Sequence, residues 1–177
     1  MNLSKRGEYA VRVLLDLAMA TSRGRHLVPL TALVESQKIP APFLEQILLS
    51  LRQAGYLTSV RGKYGGYSLA KQASEVHLGE VIRFLEGPLV STGCVNAGGT
   101  TKCSCPDPQH CGLRLLMTQV QGALSGVLDQ LTLESLAGTT LAGFLKDGVL
   151  PAVLQQGEVK KKSKRGGGGE SEPEYWI

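Results

Sequence analysis

The chain has 177 residues, of which 42% are hydrophobic and 19% charged, and a formal net charge of +4. This composition is typical of a globular protein and excludes a disordered one. The length leaves room for one modest domain with appendages. The positive charge favours a polyanionic partner. No apolar run approaches the roughly 18 residues of a membrane span, and the first residues lack the features of a signal peptide, so we expect a cytoplasmic protein that does not bind membranes.

Three helices are predicted before Gly55. Apolar residues at helical spacing follow Ser4, a favourable N-cap, and predict a first helix that extends to about Ala20. LTALVESQ predicts a short second helix, and QKI predicts a tight turn. PAPFLEQILLSLRQAG predicts a third helix, because its prolines stand at the start, where missing N–H groups are tolerated, and Gly55 suits a C-cap.

The periodicity changes after the third helix. YLTSV and GYSLA are short runs with β propensity on either side of RGKYG, so we predict a β-hairpin with a glycine-rich tip. Two short helices joined by a tight turn and followed by a basic hairpin are typical of a winged helix-turn-helix. The sequence therefore predicts a mainly α fold with a small β-hairpin wing.

The pattern also indicates which side chains would contact DNA. In helix-turn-helix proteins the second helix of the motif enters the major groove, and here that is the third helix of the chain. Its outward positions and the hairpin tip are the candidates: Ala41, Pro42, Glu45, Gln46, Ser50, Arg52, Arg61, Lys63 and Tyr64. We expect Gln46 to read adenine, Glu45 to accept from cytosine or repel wrong sites, and Arg61 to enter a groove or hold a phosphate. Solvated surface charges are the alternative explanation for the basic residues.

Two further helices are predicted beyond the hairpin. HLGEVIRFLEGP predicts a fourth helix that ends at Gly87. The next carries apolar residues at alternating steps of four and three, a period of 3.5 that is typical of helix–helix seams. These residues are Leu113, Met117, Val120, Leu124, Val127 and Leu131. Gly122 and Gly126 weaken this helix in isolation, so we expect it to dimerise; the alternative is a core helix packed on its own domain.

These features divide the chain into four parts. We predict a winged helix-turn-helix DNA-binding domain at 1–88, a cysteine-rich loop at 89–111, a dimerisation helix region at 112–145, and a disordered tail at 146–177. A two-fold dimer would present two DNA-binding domains to a palindromic operator.

All four cysteines lie in one polar stretch, CVNAGGTTKCSCPDPQHC, at residues 94–111. A connection this long needs a source of order other than a hydrophobic core. In the reducing cytosol, clustered cysteines more often bind metal or perform redox chemistry than form structural disulfides. A zinc ion would accept four such ligands, although paired CxxC motifs are missing. A reversible disulfide from Cys94 or Cys103 to Cys111 would make a thiol sensor.

Four segments of the chain together resemble the Rrf2 (Rrf-two) family of winged-helix transcription regulators, which includes IscR, NsrR and CymR. The segments are MNLSKRGEYAVRVLLDLA, FLEQILLSLRQAGYLTSVRGKYGGYSLAK, LGEVIRFLEGP and CSCPDPQHCGLR. The likeness runs from residue 1 to roughly 137, and VRGKYGGYSLAK is its most specific part. It implies a homodimeric DNA-binding protein and, as in many members, an iron–sulfur cluster in the loop before the dimerisation helix. Other members lack a cluster and sense other signals.

The resemblance implies a ligand set for this cluster. Cys94, Cys105 and Cys111 match the three cysteines of the metal-binding members, and a thiolate at a helix N-terminus, as predicted for Cys111, is favoured by the helix dipole. Arg114 stands where IscR has its ligating histidine, and an arginine is no metal ligand. The fourth ligand is therefore open.

Three residues are candidates for the fourth ligand: Glu8, Cys103 and His110. Glu8 matches the position from which some relatives supply a carboxylate across the dimer, but it is also suited to an ion pair with Arg12, four residues on. Cys103 would complete an all-cysteine set, although it and Cys105 flank a single serine and cannot easily reach one tetrahedral metal. His110 stands beside Cys111.

The residues and the resemblance together predict a transcription regulator rather than an enzyme. We expect an iron–sulfur cluster, two-iron in preference to four-iron, to control operator affinity in response to redox, iron–sulfur or nitric oxide status. A cluster-free thiol regulator of the same fold, or a zinc-binding one, is the alternative. No catalytic triad, phosphate-binding loop or carboxylate pair indicates catalysis. A metal-delivery protein would not need a basic hairpin, and its DNA binding would lack a steep salt dependence.

Overall fold

The computed structural model describes residues 3–62, 64–90, 95, 107 and 109–155. Its first part is helical with one hairpin: α1 (Lys5–Ser22), α2 (Leu30–Gln37), α3 (Ala41–Gln53), β1 (Leu57–Val60), β2 (Gly66–Leu69), a 3-10 turn (Ala73–Glu75) and α4 (Leu78–Glu86). Three helices follow the cysteine loop: α5 (Gly112–Leu128), α6 (Leu133–Lys146) and α7 (Ala152–Gln155). Within these ranges no helix is both long and apolar enough to cross a membrane.

The helix-turn-helix formed by α2 and α3 has the predicted boundaries. Lys38 ends α2 in the left-handed conformation, with φ 53°, and its N–H donates to the Val34 carbonyl at 2.8 Å. At the end of α3 Gly55 has φ 77°. The N–H groups of Gly55 and Tyr56 donate to carbonyls of the last turn of α3 at 3.0 and 2.9 Å, a Schellman arrangement that favours glycine.

The core of the protein lies where the inner faces of α1, α2 and α3 meet. Large side chains there are at most 1% exposed: Val13, Leu14, Leu17, Leu33, Leu44, Ile47, Leu48 and Leu51. Removing a leucine or isoleucine side chain from water contributes roughly 1.5–3 kcal/mol, so the inner face of α3 fixes the direction of its outer face.

The wing is an antiparallel hairpin that is also tied to the linker before α2. Leu57 pairs with Leu69 and Val60 with Gly66. Val28 and Tyr67 exchange two backbone hydrogen bonds of 2.9 and 2.8 Å. The hairpin confirms the predicted winged helix-turn-helix, while the bridge to Val28 was not predicted.

The segment predicted as one dimerisation region, residues 112–145, contains two helices with different environments. α6 packs against α1, and its Leu133 is fully buried. Leu133 N–H donates to the Val76 carbonyl at 2.8 Å, and Leu78 N–H donates to the Leu131 carbonyl at 2.9 Å. α6 therefore packs on the helical body, and the apolar seam of period 3.5 ends at Leu131, in the turn after α5. The dimerisation region at 112–145 stays a prediction.

The structure describes residues 146–155 of the predicted tail, and the last four of them form α7. α7 packs against α2, Pro151 is buried and Val153 is fully buried. Arg25 Nη1 donates to the Val153 carbonyl at 2.7 Å. A single helical turn shows no periodicity in the sequence, which is why this docking was missed. The remainder of the predicted tail, residues 156–177, lies outside the described residues.

Candidate nucleic-acid interface and cysteine loop

The outer face of α3 carries the predicted DNA-contacting side chains. Pro42, Glu45, Gln46 and Arg52 are exposed, and Ser50 is half-buried. The opposite face is buried in the core, so these side chains point away from the body of the protein.

A groove separates this face of α3 from the wing. Its volume is about 630 Å³, and Glu45, Gln46 and Arg52 line one side while Arg61 and Gly62 line the other. Arg52 Nη1 donates to Ser59 Oγ at 3.2 Å, which ties the end of α3 to β1.

Leu49 was not singled out from the sequence, although it also lines the groove. Its side chain is 38% exposed. The signal was present, because Leu49 falls outside the buried stripe of α3. A leucine on this face is suited to an apolar contact with a thymine methyl group.

The wing tip is built from glycines and presents long side chains to solvent. Gly62 has φ 117°, and Gly65 N–H donates to its carbonyl at 2.9 Å. A Cβ atom at Gly65 would collide with the Val60 carbonyl oxygen. Arg61 is exposed and Tyr64 is 85% exposed, while Lys63 lies outside the described residues.

A second residue missed from the sequence is Arg6, a basic residue in the first turn of α1. Its Nη2 donates to Ser50 Oγ, and Ser50 Oγ donates to the Gln46 carbonyl at 2.9 Å. The sequence signal was the pair Lys5 and Arg6 at the predicted N-terminus of a helix. The helix dipole disfavours positive charge there, so the pair indicates a role other than stabilising the helix.

Glu8 forms two ion pairs within α1. Its carboxylate lies 2.8 Å from Lys5 Nζ and 3.5 Å from Arg12 Nη1, so the pairing considered as the alternative to metal binding is present. The hydrogen bond from Lys5 holds the pKa of the Glu8 carboxyl below its ordinary value. A lowered pKa favours the ionised carboxylate, which is the form that binds a metal. A metal ion would have to displace both Lys5 and Arg12 from it.

The cysteine loop begins beside the N-terminus of α1. Glu86, the last residue of α4, accepts from the N–H and the Oγ of Ser4 at 3.2 and 2.7 Å. A Cβ atom at Gly7 would collide with the same carboxylate. Leu89 and Val90 follow and are buried. Glu86, three residues before the loop, therefore contacts α1 one turn before Glu8.

The loop ends at the N-terminus of α5. Cys111 is the N-cap residue of this 17-residue helix and is half-buried. His110 is exposed, and its Nδ1 lies 2.7 Å from Asp107 Oδ2; this hydrogen bond holds the pKa of the Asp107 carboxyl below its ordinary value.

The remaining predicted ligands, Cys94, Cys103 and Cys105, lie outside the described residues. Within the described part of the chain, no three His, Cys, Asp or Glu side chains are grouped closely enough to hold a metal ion.

α5 presents an apolar surface to solvent. None of its residues is buried, and its largest exposed hydrophobic side chains are Leu113, Leu115, Leu116, Val120 and Val127. The helix is attached to α4 by Asp129, whose carboxylate lies 2.6 Å from Arg83 Nη2 and whose carbonyl lies 2.8 Å from His77 Nδ1. The sequence left two environments open for this helix, a dimer contact or the core of its own domain. Because none of its residues is buried, α5 is not a core helix in this structure.

Comparison with known proteins agrees with this architecture. The family model of Rrf2, described as an iron-dependent transcriptional regulator, matches residues 3–139. An rrf2-like HTH-type transcriptional regulator of Rhodobacter capsulatus is 33% identical, over 82% of this chain and 99% of the relative. IscR of Escherichia coli, an HTH-type transcriptional regulator, is 37% identical, over 77% of this chain and 80% of the relative.

A solved structure shares the fold. The structure of CymR, the global cysteine regulator of B. subtilis, superimposes with a TM-score of 0.64 at 29% identity, over 78% of this chain and 98% of that one. The groove between recognition helix and wing, the helical body and these relatives lead to one conclusion: the chain belongs to the Rrf2 family of winged-helix transcriptional regulators.

Proposed function

We propose that the protein is a sequence-specific regulator of transcription that binds its operator as a homodimer in the cytoplasm, with an affinity controlled from the cysteine loop. The observation that carries this proposal is the groove in which the outer face of α3 meets the wing. A recognition helix and a wing placed together can contact a major groove and the neighbouring backbone at once.

The side chains of this groove suit distinct parts of a DNA duplex. Gln46 can make two hydrogen bonds to adenine, Glu45 can accept from the amino group of cytosine, and Leu49 can contact a thymine methyl group. Arg61, at the exposed wing tip, suits a phosphate or a minor groove. Arg52 donates to Ser59, which ties the wing to α3, and its remaining N–H groups can still donate to a phosphate.

The exposed face of α5 supports the homodimer. Five large hydrophobic side chains on one 17-residue helix are exposed by 40–67%, more apolar surface than a monomer usually leaves in water on one element. A two-fold pairing of α5 with α5 would cover it and set the distance between two recognition helices.

We further propose that an iron–sulfur cluster, two-iron in preference to four-iron, binds in the cysteine loop. Cys94, Cys105 and Cys111 would hold it, with Glu8, Cys103 or His110 as the fourth ligand. The half-buried thiol of Cys111 at a helix N-terminus suits such a ligand, because the helix dipole favours the thiolate. The cluster would supply a centre that reacts with oxidants or nitric oxide, and its loss or gain would change the order of the loop.

The residues at the two ends of the loop connect it to the rest of the molecule. Glu86 joins its beginning to the N-terminus of α1, and Cys111 joins its end to α5. A change of order between these residues would therefore act on the helix beside the recognition helix and on the proposed dimer helix. Operator affinity would follow through a shift between two conformations.

A cluster-free thiol regulator is the second candidate function. It is supported by the similarity to CymR of B. subtilis, a global cysteine regulator, which extends over 98% of that chain. In this case Cys94 or Cys103 would form a reversible disulfide with Cys111. A zinc ion in the loop is a third arrangement, with the same ligands.

Anaerobic purification with an absorption spectrum and counts of iron and sulfide separates these candidates. We expect a coloured protein that loses its colour and its regulated operator binding in a Cys111→Ala variant. Glu8→Ala and Cys103→Ala, compared with each other, should identify the fourth ligand by a changed spectrum or shorter cluster lifetime. A colourless protein whose affinity responds to a disulfide would support the thiol regulator instead, and bound zinc without iron would support the zinc site.

Operator binding tests the groove itself. Arg61→Ala should weaken operator binding in an electrophoretic or anisotropy titration, because it removes a cation from the wing tip. Arg23→Ala, an exposed arginine at the C-terminus of α1, is the matched control and should bind as the wild type does. Equal affinity of both variants and the wild type would contradict a DNA-contacting wing.

A further inference from the structure

Arg6 is a cation whose position is not explained by the stability of the fold. It stands in the first turn of α1, where the positive end of the helix dipole disfavours an arginine. The described residues form ion pairs that join Glu8 to Lys5 and Arg12, Asp129 to Arg83, and Asp107 to His110, and Arg6 is in none of these. The N-terminus of α1 is itself capped by Ser4 and Glu86.

The side chain of Arg6 is held on the recognition helix by a single hydroxyl. It donates to Ser50 Oγ, which is fixed in turn by its own hydrogen bond to the Gln46 carbonyl at 2.9 Å. A guanidinium has five N–H donors in a planar fork, so one hydroxyl leaves most of them for another acceptor. Arg6 is exposed, so these donors are open to an acceptor other than the described residues.

The location of Ser50 indicates which acceptor this is. Ser50 lies nine residues after Ala41, about 14 Å along α3 at 1.5 Å per residue. The first turns of a recognition helix contact base edges, and the major groove is about 8.5 Å deep. A side chain this far along the helix therefore lies near the rim of the groove, where the phosphates are.

We propose that Arg6 binds a backbone phosphate of the operator at the rim of the major groove, with Ser50 holding its guanidinium in place. This inference rests on the proposed binding of DNA by α3. It assigns to α1 a part in DNA binding and to Ser50 the role of a positioning residue. A planar guanidinium suits a phosphate because it can donate to two of its oxygens at once.

The salt dependence of binding tests this assignment. Each phosphate contact changes the slope of log K against log salt concentration by about 0.9, so the loss of two Arg6 side chains in a dimer should make the slope shallower by about 1.8. Arg6→Ala should show this change and lose affinity by a similar factor for operator and unrelated duplex, whereas Arg6→Lys should retain the slope. Arg23→Ala, 17 residues away at the C-cap of the same helix, is the matched control and should retain the slope too.

Two results would overturn the assignment. An Arg6→Ala variant with the wild-type slope and unchanged affinity would show that Arg6 does not contact DNA. The same slope with reduced affinity would show that Arg6 only supports the fold of α3, and its thermal unfolding midpoint would then be lowered. A wild-type protein that binds no duplex, or whose Gln46→Ala and Arg61→Ala variants bind normally, would instead contradict the proposed function.

Discussion

At the scale of single residues, the polar pair Asp16 and Gln37 stands out because it lies in the core. They are 5% and 7% exposed, and Gln37 Nε2 donates to Asp16 Oδ2. Burial raises the pKa of the Asp16 carboxyl above its ordinary value, against the opposing effect of hydrogen bonds from Gln37 and Ser36. The pair joins α1 to the end of α2, next to the turn at Lys38, so its charge state bears on the stability of the helix-turn-helix.

The pH dependence of unfolding should report this carboxyl group. Its pKa is higher in the folded than in the unfolded state, so the folded protein binds the proton more readily. The stabilising contribution of the protonated group is complete below the ordinary pKa of 3.8 and is lost as the pH rises through the higher folded value. Asp16→Asn keeps an acceptor for Gln37 and removes the charge. The substitution should raise the thermal unfolding midpoint at neutral pH. It should also reduce the decrease of that midpoint as the pH rises above 3.8.

Asp107, an exposed carboxylate with a lowered pKa, provides the matched control for this measurement. Asp107→Asn should leave the slope above pH 3.8 in place. An Asp16→Asn variant that unfolds at a lower temperature than the wild type at neutral pH would show that the ionised carboxylate is a net stabilising group.

At the scale of elements, the sequence predicted those whose signal is local. The boundaries of α1 to α4 and of the hairpin follow from apolar periodicity, the proline and glycine positions and the change of period after Gly55. Contacts between distant segments carry no such signal. The packing of α6 on α1, the docking of Val153 and the bond between Arg6 and Ser50 depend on residues far apart in sequence, and none was predicted.

The bridge between the wing and Val28 makes Gly66 sensitive to substitution. A Cβ atom there would lie 2.5 Å from the Val28 carbonyl oxygen, a backbone atom that cannot move without breaking the bridge. Gly66→Ala should therefore destabilise the protein by roughly 1–3 kcal/mol, measured by urea unfolding, and weaken operator binding.

Gly138→Ala is the control for this substitution. Gly138 lies within α6 and has no atom within 4 Å of the added Cβ position. Alanine there should stabilise the helix by about 0.5–1 kcal/mol. Equal stability of the two variants would contradict the steric role of Gly66.

At the scale of the whole molecule, the exposed apolar face of α5 is the surface that we propose a second copy of the chain covers. Val120, near the middle of the helix, is 40% exposed. Val120→Glu would place a charge in the proposed helix–helix seam, and desolvating it would be unfavourable. We expect monomers by sedimentation and a loss of operator affinity on the order of 100-fold, since the second half-site would no longer be bound intramolecularly.

Gln119→Glu changes the charge at the adjacent exposed position and should leave the dimer intact. A dimeric Val120→Glu variant with normal operator binding would exclude α5 as the main dimer contact. The regularity of the apolar seam made this face predictable. The fourth ligand of the proposed cluster was left open, because it would depend on how the loop and α1 meet in the proposed dimer.

The attachment of α5 at Asp129 has a mechanical consequence. The 17-residue helix is anchored at its C-terminal end by Arg83 and His77, while Cys111 stands at the other end. Such a helix is about 25 Å long, so a small rotation about Asp129 gives a larger displacement at its other end. A sideways displacement of about 2 Å at Cys111 would swing it by roughly 5°, as the geometry of a rod of that length requires. In the proposed dimer, small rearrangements at Cys111 would thus become rotations of one subunit against the other.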